Sequence, residues 1–396
     1  MTSPQEIGRN FDALADRAEA LAGHRPLVGT PAAAGRREPA PPDRAALPRV
    51  GLVLAGGGAK GAYELGVCDC LAEIGTDVAA IAGTSIGALN GAVLAAEPDL
   101  RRGTAQLAAF WEQFSTRSGV APFADRGLPL DEAGLAVEST HRQLRRFAPR
   151  LRALRQRAGL LEDMVVRAVN APAIRAGRPL WVAAYPLLDP ATLPKLAPLP
   201  PRLRHLVEIM RWLAGGQGTI LRLNGYPDEQ IRQAVLASAA LPFIFPARVV
   251  DGCAYLDGGL GGPGDRTPVR AFAEQEHCDV LIVVHLHPDA VINPGSTARF
   301  LRIDIRPSVP IVPPGPLGPL SGMLAFSPER VQALRNLGYQ DARARFAEVR
   351  RLLTARSGLT AAEARMTAAL TALRDQDRAG NRTGSRTGKG GGHGGG

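Results

Sequence analysis

The sequence predicts an α/β fold: a three-layer α/β/α arrangement around a mostly parallel sheet, followed by a C-terminal helical region. Three observations carry this. Short, wholly apolar runs of strand length, Val50–Ala55 and Val78–Ala82, alternate with helical stretches, Ala62–Ile74 and Ile86–Ala96. Glycine-rich turns follow both runs, at Gly56–Gly61 and Gly83–Gly87. Strand–helix–strand–helix order implies parallel strands, because each crossover returns the chain to the same end of the sheet, and strands buried on both faces read as continuous apolar runs.

Taken along the chain, residues 1–48 hold a short amphipathic pattern (Ile7, Phe11, Leu14, Ala18, Leu21) and then an Ala/Pro/Arg-rich linker. A catalytic domain is expected over 49–306. Leu180–Ala184 and Val280–His285 add strands, and Val249–Leu256 reads as a hairpin because Asp251-Gly252 suits a type I′ turn. Residues 307–377 comprise a Pro/Gly-rich connector and C-terminal helices. Ser327-Pro328-Glu329 is a helix start, with an N-cap, a first-turn proline and an early acid. The Gly/Arg-rich tail, 378–396, is expected to be disordered.

Composition removes several classes of function. Four cysteines (Cys68, Cys70, Cys253, Cys278) give neither a disulfide framework nor a zinc-type pair, so a reducing, cytoplasmic compartment is expected. No basic stretch followed by an apolar run marks a signal peptide. Val78–Ala96 is uncharged and long enough to span a bilayer, but Gly83, Ser85, Gly87, Asn90 and Gly91 break it into strand, turn and helix. The net charge of +10 is local: 139–178 carries +8 and 378–396 carries +4, leaving −2 elsewhere. No nucleic-acid partner is expected.

Gly83-Thr84-Ser85-Ile86-Gly87 is a G-x-S-x-G pentapeptide between a buried strand and a helix, the context of a nucleophile elbow. Gly56-Gly57-Gly58-Ala59-Lys60-Gly61 formally matches the dinucleotide fingerprint. The acid that should end the second strand is missing, since Asp77 precedes that strand, and no Gly-Lys-Ser/Thr of a P-loop follows. The loop therefore reads as an anion-accepting turn beside a nucleophile, at the carboxyl ends of neighbouring strands. Asp257, at a strand end before Gly258-Gly259, is a candidate base.

These segments, in this order, resemble the signatures of the patatin-like phospholipases, and Ala237–Pro246 is similar to that family's Ala-Ser-x-Ala-x-Pro-x-x-Phe-Pro stretch. The resemblance covers roughly Val50 to Ala273. It implies a Ser–Asp dyad of Ser85 and Asp257, an oxyanion hole from the backbone of Gly56, Gly57 and Gly58, and motif positions at Lys60, Gly61, Gly83, Gly87, Gly258 and Gly259. It also implies a lipid or phospholipid substrate, carboxylic-ester hydrolysis through an acyl-enzyme, and no metal or organic cofactor. One departure stands out. The Asn-x-Pro that should follow Asp-Gly-Gly is replaced by Asp265-Arg266-Thr267-Pro268, which leaves open how the loop holds Asp257.

Two other catalytic or binding readings remain at this point. His285 or His287 could complete a Ser–Asp–His triad, since they follow Asp257 in chain order. The chain could instead be a non-catalytic nucleotide- or lipid-binding module. A membrane contact is also expected: Leu144, Phe147, Leu151, Leu154 and Leu161 recur at helical intervals among seven arginines, a basic amphipathic pattern suited to an anionic surface.

Overall fold

The computed structural model describes residues 48–117, 162–188, 216–242, 244–274, 276–292, 300–312 and 326–352, together with 159, 207, 211, 297, 322, 323 and 365–367. The expected N-terminal helix, the arginine-rich amphipathic pattern and the 378–396 tail lie outside these residues. The chain forms two compact units, Met1–Arg345 and Phe346–Gly396. In the second unit, 346–352 and 365–367 are described and are helical.

The first unit is built on one eight-stranded sheet: β1 (Val50–Leu54), β2 (Val78–Thr84), β3 (Leu180–Pro186), β4 (Thr219–Arg222), β5 (Arg248–Val250), β6 (Cys253–Asp257), β7 (Val280–Val284) and β8 (Leu301–Ile305). The spatial order is β5-β6-β3-β2-β1-β7-β8, with β4 also pairing β3. The β3-β2-β1-β7-β8 ladder is parallel, whereas β4, β5 and β6 are antiparallel to their neighbours. The mostly parallel sheet expected from the apolar runs is therefore present. The β5–β6 turn has φ of 47° at Asp251 and 76° at Gly252, the left-handed pair that a type I′ hairpin requires.

Helices α1 (Ala62–Glu73), α2 (Ile86–Ala95), α3 (Leu100–Arg117), α4 (Ala171–Ala176), α5 (Asp228–Ser238), α6 (Pro263–Arg266) and α7 (Arg270–Glu274) follow in chain order. A last helix of this unit, α8, occupies 328–345. Both faces of the sheet are covered. Leu54, Ile81 and Leu180 meet Gly91 of α2 on one side. Val53, Ala82, Trp181, Leu281 and Val283 form a buried cluster with Phe272 of α7 on the other. Arg178 ends α2 by donating from its guanidinium to the carbonyls of Leu94, Glu97 and Pro98 at 2.7–3.1 Å. This member of the arginine-rich region binds one carbonyl of the last helical turn and two of the turn that follows it.

The first unit extends past the expected boundary at 306 because α8 docks on α1. Gly66 and Gly338 lie at the crossing, where a methyl group on Gly66 would meet the Arg335 carbonyl and one on Gly338 the Tyr63 carbonyl. Arg335 pairs with both Asp69 oxygens at 2.7 and 3.0 Å, and the buried Tyr63 hydroxyl donates to Asp341 at 3.0 Å. Ser327 caps α8 as its sequence predicts, its hydroxyl accepting from the Arg330 amide at 3.3 Å.

Candidate active site

Strand register brings the motifs together. Leu54 lies opposite Gly83 on one side and Val284 on the other, so the loops leaving β1, β2 and β7 emerge at one edge. That is where open α/β sheets place ligands. Thr84 lies opposite Ala183, and Ala184 opposite Asp257, so one strand, β3, lies between Asp257 and the strand that leads to Ser85.

Ser85 has φ 54° and ψ −121°, a left-handed backbone for a residue with a side chain. Such a conformation costs on the order of 1–3 kcal/mol and persists only where its surroundings enforce it. Here the Ser85 amide donates to Ser238 Oγ at 2.8 Å, and Ser238 in turn donates to the Ala183 carbonyl at 2.6 Å. Gly83 and Gly87 meet across the turn, where a methyl on Gly83 would strike the Gly87 carbonyl. Ser238 sits within the Ala237–Pro246 stretch, but its role as the elbow's anchor depends on two long-range contacts that the stretch alone does not reveal.

Ser85 Oγ donates directly to Asp257 Oδ2 at 2.7 Å, with both side chains buried. Asp257 Oδ1 accepts from the Gly259 amide at 2.8 Å. Burial pushes the Asp257 carboxyl up to about 6, opposed by the bonds from Ser85 and Gly259 and by the charge of Arg266. A carboxylate so placed is a stronger base than an ordinary one.

His285 lies elsewhere. It is fully buried at the end of β7, and its Nε2 meets Asp304 Oδ1 of β8 at 2.9 Å. His287 Nδ1 accepts from the Asp289 amide at 3.1 Å. The Asp257 carboxylate contacts Ser85 itself, and neither histidine is hydrogen-bonded to either residue. The two histidines are strand-end residues with local partners, although the buried His285 Nδ1 has no hydrogen-bond partner among the described residues.

The glycine loop divides its amides. Gly56 donates to the Arg266 carbonyl at 2.8 Å, so its N–H is committed to structure and is not a donor for an oxyanion. Among the described residues, Gly57 and Gly58 donate no backbone hydrogen bond. Gly58 has φ 60°, and a methyl there would collide with the Met323 carbonyl, so this position requires glycine. Gly58 and Ser85 line the same cleft. Lys60 lies behind the loop, with its ammonium 3.4 Å from the Leu286 carbonyl. Burial, then Arg266 and Arg330, lower its pKa to about 8. Gly61 and the elbow helix are tied together by Asn90, whose amide donates to the Gly61 carbonyl at 3.1 Å and to the buried Glu64 at 2.8 Å.

The missing Asn-x-Pro has a replacement. Asp265 is buried, its Oδ2 accepting from the Gly218 amide at 2.5 Å and its Oδ1 from Arg270 at 2.6 Å. Its own carbonyl accepts from Thr84 Oγ1 at 2.5 Å, next to Ser85. Asp265 thus clamps the turn after Asp257-Gly258-Gly259 to β2, and to the Gly218 amide at the start of β4.

The cleft over Ser85 has a cavity volume of about 80 Å³ and opens to solvent. Its walls are mainly apolar, including Leu89, Phe114, Leu236 and Phe245; Glu162 and Arg248 also line it and pair with each other. Among the described residues, no cluster of three or more His, Cys, Asp or Glu could hold a metal ion. No described helix is long and apolar enough to cross a membrane.

The chain is 53% identical over 51 residues to lysophospholipase nte1 of Aspergillus terreus, a match covering 13% of this chain and 3% of that protein. It is 27% identical over 264 residues to an uncharacterised NTE family protein of Mycobacterium tuberculosis, covering 65% of this chain and 56% of the relative. Among solved structures, VipD from Legionella pneumophila aligns at TM-score 0.37 and 14% identity over 76% of this chain and 67% of its own. Human GIVD cytosolic phospholipase A2 aligns at TM-score 0.37 and 13% identity over 89% and 65%. The patatin-like phospholipase family model matches residues 52–272, just over half of the chain and the stretch from the glycine loop through the Asp-Gly-Gly turn, and the chain belongs to that family.

Proposed function

We propose that this protein hydrolyses carboxylic esters of lipids, as a phospholipase A or lysophospholipase, through a Ser85–Asp257 dyad and an acyl-enzyme. The observation that carries the reading is the direct 2.7 Å bond between the hydroxyl of an elbow serine and a buried carboxylate. The apolar cleft above it suits a hydrocarbon chain, and the family membership and the lysophospholipase relatives point the same way.

In the first half-reaction Asp257 Oδ2 takes the Ser85 proton as Oγ bonds to the ester carbon. The carbonyl electron pair moves onto oxygen, where the Gly57 and Gly58 amides and the N-terminus of α2 stabilise it. Collapse breaks the bond to the alcohol, which leaves with the proton from Asp257. In the second half-reaction Asp257 takes a proton from water, whose oxygen attacks the acyl carbon. The fatty acid departs and Ser85 recovers its proton. No step needs a metal or an organic cofactor.

The substrate lies in a lipid surface, so the protein acts peripherally at an anionic membrane, with the arginine-rich stretch before Glu162 as its contact. Four unpaired cysteines suit a reducing, cytoplasmic setting. The test is a lipid panel assayed with the wild type beside Ser85→Ala, together with labelling by a fluorophosphonate. Turnover and labelling confined to the wild type are expected. Equal ester turnover by folded Ser85→Ala would sink the reading, and an unlabelled, inactive wild type would favour a lipid-binding module.

A further inference from the structure

The family match ends at 272, yet the cleft over Ser85 does not. Two of its lining residues, Met323 and Phe326, come from the segment that leads into α8. We infer that this segment supplies the acyl-chain wall of the site, and that Phe326 with Met323 sets the acyl length the protein accepts. The inference rests on the hydrolase reading and deepens it.

Phe326 is buried and rigidly supported. Its ring meets Phe114 edge-on, with centroids 5.0 Å apart, and lies over Trp111 at 6.4 Å with 26° between the planes. Trp111 is fixed in turn, because its indole N–H donates to Asn90 Oδ1 at 3.1 Å in the helix behind Ser85. The Met323 carbonyl lies against Gly58, so the same segment touches the oxyanion loop. The position of Phe326 is also set from behind. Ser327, next to Phe326, caps α8, and α8 is held on α1 by the Asp69–Arg335 and Tyr63–Asp341 bonds.

A wall of this kind recognises hydrocarbon by area and shape, with no charge or directional bond. It acts where chain length is read: a methylene that finds a buried place gains about fourfold in affinity, and one that meets the ring gains nothing. Trimming the ring extends the cleft, and enlarging it shortens the cleft.

The test is a series of p-nitrophenyl esters from butyrate to palmitate, assayed with wild type, Phe326→Ala, Phe326→Trp and Met323→Ala. For Phe326→Ala, the kcat/KM ratio of the long to the short ester should rise roughly tenfold or more, since two or three methylenes gain a place. Phe326→Trp should move the optimum toward shorter chains. Profiles that superimpose on the wild type after scaling overturn the inference. If Phe326→Ala does not fold, Phe326→Leu with Met323→Ala carries the same comparison, with thermal melting as the fold check. A wild type inert toward every ester overturns the hydrolase reading. The wall is then read by binding of fatty acids of graded length, where the same shift is expected and an unchanged affinity series overturns it.

Discussion

Two glycine-rich turns flank Ser85, and they are held in opposite ways. The turn after β1, Gly56–Gly61, is tied by polar bonds at its two ends, through Gly56 and Gly61, and is held at its centre by packing: Gly57 sits against Leu286 and Lys60, and Gly58 against the Met323 carbonyl. Its Gly57 and Gly58 amides make no backbone bond among the described residues. The turn after β6, Asp257–Gly262, is held by polar bonds: Gly259 to Asp257, and Asp265 to Gly218 and Arg270. The two are joined where the Gly56 amide meets the Arg266 carbonyl. If the loop presents amides to a developing charge, as proposed, it cannot use them for its own support, and side chains and a neighbouring segment support it instead. A loop whose task is to aim one carboxylate can use all of them.

The contrast can be broken most sharply at its centre. Asp257→Asn should lower kcat about 10⁴-fold with the fold intact, the scale expected when a serine hydrolase loses the carboxylate behind its nucleophile. Esterase assay with circular dichroism checks this. A residual rate within tenfold of wild type would show that the Ser85 proton goes elsewhere.

Next comes the packed loop. Gly58→Ala adds a methyl at φ 60° against the Met323 carbonyl and displaces the free amides. Turnover should fall about 10²–10³-fold, with the loss in kcat and little change in KM, because the oxyanion exists only in the transition state. A change confined to KM would remove the loop from the chemistry.

The clamp should behave in reverse. Asp265→Asn cannot accept from both Gly218 and Arg270, and breaking a buried ion pair from one side costs about 3 kcal/mol. Denaturant unfolding should show that loss, while kcat falls only about tenfold, since Gly259 still holds Asp257. If stability is unchanged and activity collapses, the two turns are not supported differently.

The smallest effects are in pH. Asp257 acts as a base only when ionised, so kcat/KM should rise with pH through an inflection near 6 and level off above it. Lys60, with its pKa lowered to about 8, loses its charge beside the loop above that pH, and a few-fold decline is expected there. A Lys60→Met variant should lack the alkaline decline and keep the acid limb. A pH–rate profile of the two proteins reads both limbs.

Much of the site was legible because its parts are local. A wholly apolar β1 and β2, each followed by glycines, announce strand, turn and helix within a few residues. Asp251-Gly252 announces its hairpin, and Ser327 its helix. What escaped depends on distance along the chain. β4 (TILR) and β8 (LRIDI) mix polar and apolar residues at the margins of the sheet, and their pairing is set by partners far away. Ser238 was visible as a residue of the Ala237–Pro246 stretch, but not as the acceptor of an amide 153 positions earlier. Asp265 was visible as a departure from the family pattern, and only its bonds to Gly218 and Arg270 show that it replaces what is missing. The reach of α8 to the cleft has no local mark in the sequence.

The crossing of α1 and α8 has a consequence for descent. Gly66 and Gly338 each face backbone of the other helix, so neither can gain a side chain while the other helix stays in place. A lineage that replaces either glycine must slide α8, and Phe326 travels with it. If Met323 and Phe326 set the acyl length as inferred, substrate preference among relatives of this protein should track the residue pair at 66 and 338, which lie 257 positions before Met323 and 12 after Phe326.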